Sequence, residues 1–132
     1  MDKTSIMVDF SIIGDDFSPS IITERLNIVP TEQYNKGELS KKNLTRKESC
    51  WSKSTGYIDT LYVSEVLEKI MMEISDSKQT LIELREEFDL VYKFIVVLKI
   101  EQNQKPAVYL ETSIIQFASE IEAEIDFDFY IY

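Results

Sequence analysis

The 132 residues contain no histidine, which removes the commonest general base, every Ser-His or Cys-His nucleophile pair and every histidine metal site. Cys50 is the only cysteine, so no intramolecular disulfide or multi-cysteine metal site can form, and a reducing compartment fits. With three glycines and three prolines there is little room for flexible linkers, and no glycine-rich phosphate loop occurs. Long apolar runs are missing as well. The longest aliphatic block, Phe94 to Leu98, falls far short of the ~20 residues needed to cross a bilayer, so no membrane association is expected. The start, Met1-Asp2-Lys3-Thr4, leads only into Ile6-Met7-Val8 before Asp9, too short and polar for a signal-peptide core. The expected location is the cytoplasm.

Positive charge is scarce. Lys and Arg number 14 against 24 Asp and Glu, a formal charge of -10 that repels phosphate backbones and excludes nucleic acid as a partner. The same field attracts a basic protein or cations, and it also serves simple solubility. Charge is unevenly spread: Lys36, Lys41, Lys42, Arg46, Lys47 and Lys53 lie close in sequence, whereas nothing after Lys105 is basic.

Hydrophobic residues make up 44% of the chain, enough for one ordinary core, and residues 1–132 are expected to form a single domain. Ile6, Val8, Phe10 and Ile12 alternate with polar neighbours, the period of a strand with one buried face. Gly14-Asp15-Asp16-Phe17 reads as a turn, after which Ser18 caps a short helix with Pro19 at its first position. Residues 32–46 read as an exposed loop. Lys47 to Thr55, around Trp51, reads as a second strand of low apolar content, suited to an edge or partly exposed position. Val63 to Ile74 and Leu81 to Phe88 carry helical stripes. Tyr92 to Ile100 is a strand apolar on both faces, and Ser113 with Gln116 resembles a capping box opening a last helix. In the final segment Ile125, Phe127, Phe129 and Ile131 alternate with Glu124, Asp126, Asp128 and Tyr130, which predicts a strand with the first four in the core.

This order predicts an α+β fold: a ferredoxin-like split βαβ sandwich of four main, mostly antiparallel strands, with a helical insertion before the third strand. In that topology the first and last strands are neighbours, so Asp9 is expected to share a sheet face with some of Glu124, Asp126 and Asp128.

The run Phe10-Ser11-Ile12-Ile13-Gly14-Asp15-Asp16-Phe17-Ser18-Pro19, followed by Ile22-Thr23, Leu26, Ile28 and Pro30-Thr31, resembles the start of the bacterial family catalogued as domain of unknown function 4279. Trp51 with Ser54-Thr55-Gly56, and Phe117-Ala118 followed by Glu124-Ile125-Asp126, are similar too. The resemblance spans nearly the whole chain; it implies one bacterial domain and supplies no catalytic or binding residues.

The candidate binding surface is therefore the acidic set Asp9, Glu124, Asp126 and Asp128 with Tyr130 beside it, a combination of charge and aromatic area that suits protein recognition. The competing explanation is that polar positions on a terminal strand are merely solvated and resist aggregation. Asp126-Phe127-Asp128 matches a bare Asp-x-Asp metal pattern, but three residues carry almost no specificity, and neither a metal nor another cofactor is expected. Ser75-Asp76-Ser77-Lys78 satisfies a Ser-x-x-Lys string by chance, and Cys50 reads as a small core side chain. The leading expectation is a non-enzymatic, acidic protein-binding or regulatory module, of the immunity type that covers a basic toxin. The alternative is a small-molecule or divalent-metal-binding domain using the open sheet face. The oligomeric state stays open.

Overall fold

Alternation in the first strand organises the fold. In a computed structural model, which describes residues 3–132, β1 (Ser5–Gly14) buries Ile6, Val8, Phe10 and Ile12 completely. Met1 and Asp2, the start of the stretch weighed above as a leader, lie outside the described residues. β1 is followed by α1 (Pro19–Leu26), β2 (Glu32–Tyr34), β3 (Ser49–Ser54) and β4 (Ile58–Asp59). Then come α2 (Val63–Ile74), a 3-10 turn over Ser75–Ser77, α3 (Lys78–Phe88), β5 (Val91–Ile100), α4 (Thr112–Glu120) and β6 (Glu124–Ile131).

The sheet has the order β2-β3-β1-β5-β6, with β4 also on β1. Every pairing is antiparallel except β5 with β6, which run parallel and are joined through α4. The fold is thus α+β with one mixed sheet of six strands, and the helical insertion stands before β5 as expected. Two expectations are corrected. The sheet has six strands where four main ones were expected, and β5 separates the first strand from the last, so the ferredoxin-like adjacency of β1 and β6 does not occur. The physical reason lies in β5: ten residues apolar on both faces can pair along their whole length with β1 on one side and β6 on the other.

Of the expected edge or partly exposed position, the edge does not occur: β3 is an interior strand because Glu32–Tyr34 pairs outside it as β2 within what reads as loop, and only Lys53 and Ser54 are partly exposed. Its low apolar content is compatible with burial because Ser49 and Ser52 are small and Trp51 fills the core. β3 and β4 run along the same side of β1 in registers one residue apart, Asp9 opposite Ser54 but Ile6 opposite Ile58. The extra residue is absorbed at Thr55 to Tyr57, where Gly56 has φ +73° and the Thr55 hydroxyl accepts the Val8 N–H at 3.0 Å.

The helices cover one face only. Ile6, Val8, Phe10, Ile12, Trp51, Tyr92, Phe94, Val96 and Leu98 join one core with Val66, Leu67, Ile70, Leu81, Leu84 and Ile114. Two hydrogen bonds tie the layers together: Trp51 Nε1 donates to Thr23 Oγ1 at 2.9 Å, and the buried Tyr92 hydroxyl donates to the Leu81 carbonyl at 2.6 Å. The anticipated caps do not form. Ser18 sits at the N-cap of α1 but its hydroxyl pairs with Ser20, and α4 begins at Thr112 with Glu111 as its N-cap, two residues ahead of the expected box.

Gly14 shows why the β1–α1 turn takes no side chain. A Cβ there comes within 2.8 Å of Phe17 and 2.9 Å of Leu90, both buried and unable to retreat. Gly14→Ala is expected to lower stability by about 1–3 kcal/mol through overpacking, measured as a shift in urea midpoint at unchanged slope. Tyr92→Phe removes the hydroxyl's bond to the Leu81 carbonyl, which keeps its helical partner, and is expected to cost about 0.5–1.5 kcal/mol in the same assay.

Candidate functional site

Residues opposite one another in a sheet share a face, so the registers assemble the uncovered surface row by row. One row runs Ser54, Asp9, Ile95, Asp126; the next runs Ser52, Ser11, Lys93, Glu124. On the other side of Asp9 come Met7, Val97, Asp128, and then Ser5, Lys99, Tyr130. All five candidate residues therefore lie on the face away from the helices. The structure does not gather them into one patch. With strands about 4.8 Å apart, Asp9 stands about 10 Å from Asp126, and Ile95 is between them.

The carboxylates form two chemically distinct groups. Asp9 is half-buried at the centre of the sheet, and desolvation pushes its pKa from 3.8 up to about 6, helped by the negative charge of Glu32 and opposed by the Ser11 hydroxyl at 3.5 Å. Its acidic neighbour is thus on β2, not β6. Glu124, Asp126 and Asp128 are exposed on the border strand, where Lys93 Nζ approaches Asp126 at 3.7 Å and the Tyr130 hydroxyl donates to Asp128 Oδ2 at 2.9 Å. That hydrogen bond holds the Tyr130 proton and raises its pKa.

Sequence reasoning missed the basic residues on this face. Lys93 and Lys99 project from β5 between Asp9 and the acidic border, and Lys99 lies 4.2 Å over the Tyr57 ring. The alternation of β5 already contained the signal, since both lysines share its second face. Charge separates across the sheet: the loop carrying Lys36, Lys41, Lys42 and Arg46 joins β2 to β3 at one edge, and the acids line β6 at the other.

The expectation of four core side chains on β6 also needs correction. Ile125 and Phe127 are half-buried against the core, but Phe129 is 52% exposed and Ile131 68%. β6 is an edge strand, and its last residues extend past α4. Phe129 and Ile131 instead border a cleft of about 470 Å³ with Ile100, Gln102, Lys105, Pro106 and Val108. Cys50 is buried beside Tyr34, and burial pushes its thiol up to about 11, which keeps it protonated and unreactive. Among the described residues no group of three or more Cys, Asp or Glu side chains converges as a metal site, and no helix is long and apolar enough to cross a membrane.

The chain belongs to the family described as Domain of unknown function (DUF4279), which matches residues 3–132. No curated protein and no solved structure matches it.

Because the folded protein holds the Asp9 proton up to about pH 6 while the unfolded chain releases it near 3.8, stability contributed by neutral Asp9 falls as pH rises through that window. Asp9→Asn keeps the neutral form at all pH. It is expected to be more stable than the parent by about 1 kcal/mol at neutral pH, moderated by solvent contact, with the difference vanishing below pH ~4. Paired chemical denaturation curves across that range check it.

Proposed function

We propose that this chain is a non-enzymatic, acidic protein-binding or regulatory module of the immunity type, and that a basic protein docks on its open sheet face and β6 border. The observation that carries the reading is the uncovered face itself: half-buried Met7, Ile95 and Val97 at its centre, with exposed Asp126, Asp128 and Tyr130 along its border. An apolar centre with a polar, aromatic-bearing rim is the anatomy of a protein interface. A charge of -10 adds long-range attraction for a basic partner and speeds encounter with it. The lone thiol and the absence of long apolar helices among the described residues support a reducing, cytoplasmic setting, and the family resemblance supports a bacterial one.

A second reading, a small-molecule site at Asp9, is favoured by one observation: a half-buried carboxyl with a pKa about 6, between Ser11 and Ser54 on the bare face. It expects a ligand-induced rise in melting temperature that Asp9→Asn abolishes.

The leading reading is tested by retrieving partners on the immobilised chain and measuring the affinity of each purified protein. A basic protein whose binding weakens by about tenfold or more in the Asp126→Lys/Asp128→Lys variant, and which loses affinity steeply with salt, is the expected result. Binding indifferent to both changes, or the absence of any retained basic protein, overturns it.

A further inference from the structure

The two edges of the sheet differ in kind. β2, at one edge, is three residues long, and the loop rich in lysine joins it to β3. β6, at the other, is eight residues long, contains no proline or lysine, and keeps an unbroken register from Lys93 opposite Glu124 to Ile100 opposite Ile131. Short length, proline, lysine and bulges are the usual means of blunting an edge strand, and β6 has none of them.

Its free hydrogen-bonding groups can be assigned. Tyr132 donates to the Ile100 carbonyl and accepts from Gln102 N–H, so even-numbered residues of this segment face β5. The N–H and C=O groups of Ile125, Phe127, Phe129 and Ile131 consequently point to the open edge, and among the described residues no backbone group pairs with them. Phe129 and Ile131 also present exposed side chains beside the cleft formed with Ile100, Pro106 and Val108.

We propose that the free edge of β6 receives an extended basic strand from the partner protein, which lengthens the sheet by one strand; this rests on the protein-binding reading above. The incoming backbone pairs with the four outward-facing residues. Its alternate side chains fall into two sets: lysines or arginines beside Glu124, Asp126 and Asp128, and apolar residues beside Phe129 and Ile131. Charge decides between this occupant and a second copy of the chain. A two-fold axis relating antiparallel β6 strands must stand perpendicular to the sheet, so residues of the same face oppose each other. In registers centred on residues 125–128 acid then meets acid at Cβ separations of about 4.5–5.5 Å, which is destabilising, and the register centred on Phe129 avoids this only by leaving Glu124 and Ile125 unpaired, whereas an alternating basic strand pairs along the whole edge and meets complementary charge at each acid.

The test uses the full chain and a synthetic peptide with lysine at every second position and valine or isoleucine between. A second peptide carries N-methyl groups on alternate amides, with the methylated set chosen in each of the two registers. Amide exchange measured by NMR is expected to slow at Ile125, Phe127, Phe129 and Ile131 on peptide addition. One methylated register is expected to bind about tenfold or more weakly than the parent peptide. Phe129→Pro removes an outward N–H and spares the β5 ladder, and is expected to lose peptide binding while keeping the fold. Equal binding of both methylated peptides, protection confined to other strands, or no binding at all overturns strand addition. A dimer by light scattering that dissociates on Phe129→Pro overturns the choice of occupant. If peptide binding depends on Asp126 and Asp128 without protection of the four amides, strand addition fails while docking on the acidic face survives.

Discussion

Burial of one face of β1 is the constraint from which the rest of the molecule follows. Ile6, Val8, Phe10 and Ile12 are fully removed from water, and Phe10 packs its ring 4.9 Å from Phe94 and 5.7 Å from Tyr92 on the neighbouring strand. Burying side chains of this size contributes about 1.5–3 kcal/mol each, which commits the helices to that side. α2 packs on β1, α1 on β3, and α4 on α2, so the helical layer closes over a single face. The parallel step from β5 to β6 then has to cross on the side where α4 can bury Ile114 and Ala118. The opposite face is left without helices as a direct result: Ser5, Ser11 and Ser52 are shielded there by their neighbours, while Asp9, Lys93, Lys99 and a few aliphatics keep partial water.

Periodicity made the faces readable but not the neighbours. Alternation alone assigned Glu124, Asp126, Asp128 and Tyr130 to one side of β6, because a strand's two faces are determined by local geometry, whereas the placing of Asp9 with them rested on a neighbouring of β1 and β6 that does not occur. Which strand lies beside which depends on long-range pairing, and the pattern of β6 fits a partner in either direction. β5 could have resolved it, since a strand apolar on both faces accepts two neighbours. Glu32–Tyr34 left no trace in the pattern: three residues with one aromatic become a strand only because β3 offers a free edge. The caps failed for a related reason. Ser18 and Ser113 have the right chemistry, but alternative local partners and a shifted helix start decide what their side chains do.

Position in the sheet also divides carboxylates that look alike in sequence. At the centre, neighbouring strands displace water from Asp9, so its charged form is penalised and its pKa rises to about 6. On the border, Asp126 and Asp128 are exposed, with Lys93 Nζ beside Asp126 and the Tyr130 hydroxyl donating to Asp128. Attraction for a basic partner therefore arises chiefly from the border acids. Asp9 contributes to the field only above the pH at which it ionises, and it imposes a folding cost there that no ion pair offsets.

The unequal edges give this distribution of charge a direction. Growth of the sheet past β2 is limited by a three-residue strand and the adjoining basic loop, whereas β6 presents eight residues in regular register with its acids on the bare face. A bare edge of that length invites association, and in a chain without prolines or lysines there the remaining control is electrostatic. Aspartate at alternate positions leaves the backbone free to pair while penalising an identical strand wherever two copies overlap on Glu124, Asp126 and Asp128, since same-face pairing there sets negative charge against negative charge. The acidic alternation thus sets the electrostatics of the open edge: like charge beside it is penalised and opposite charge is not.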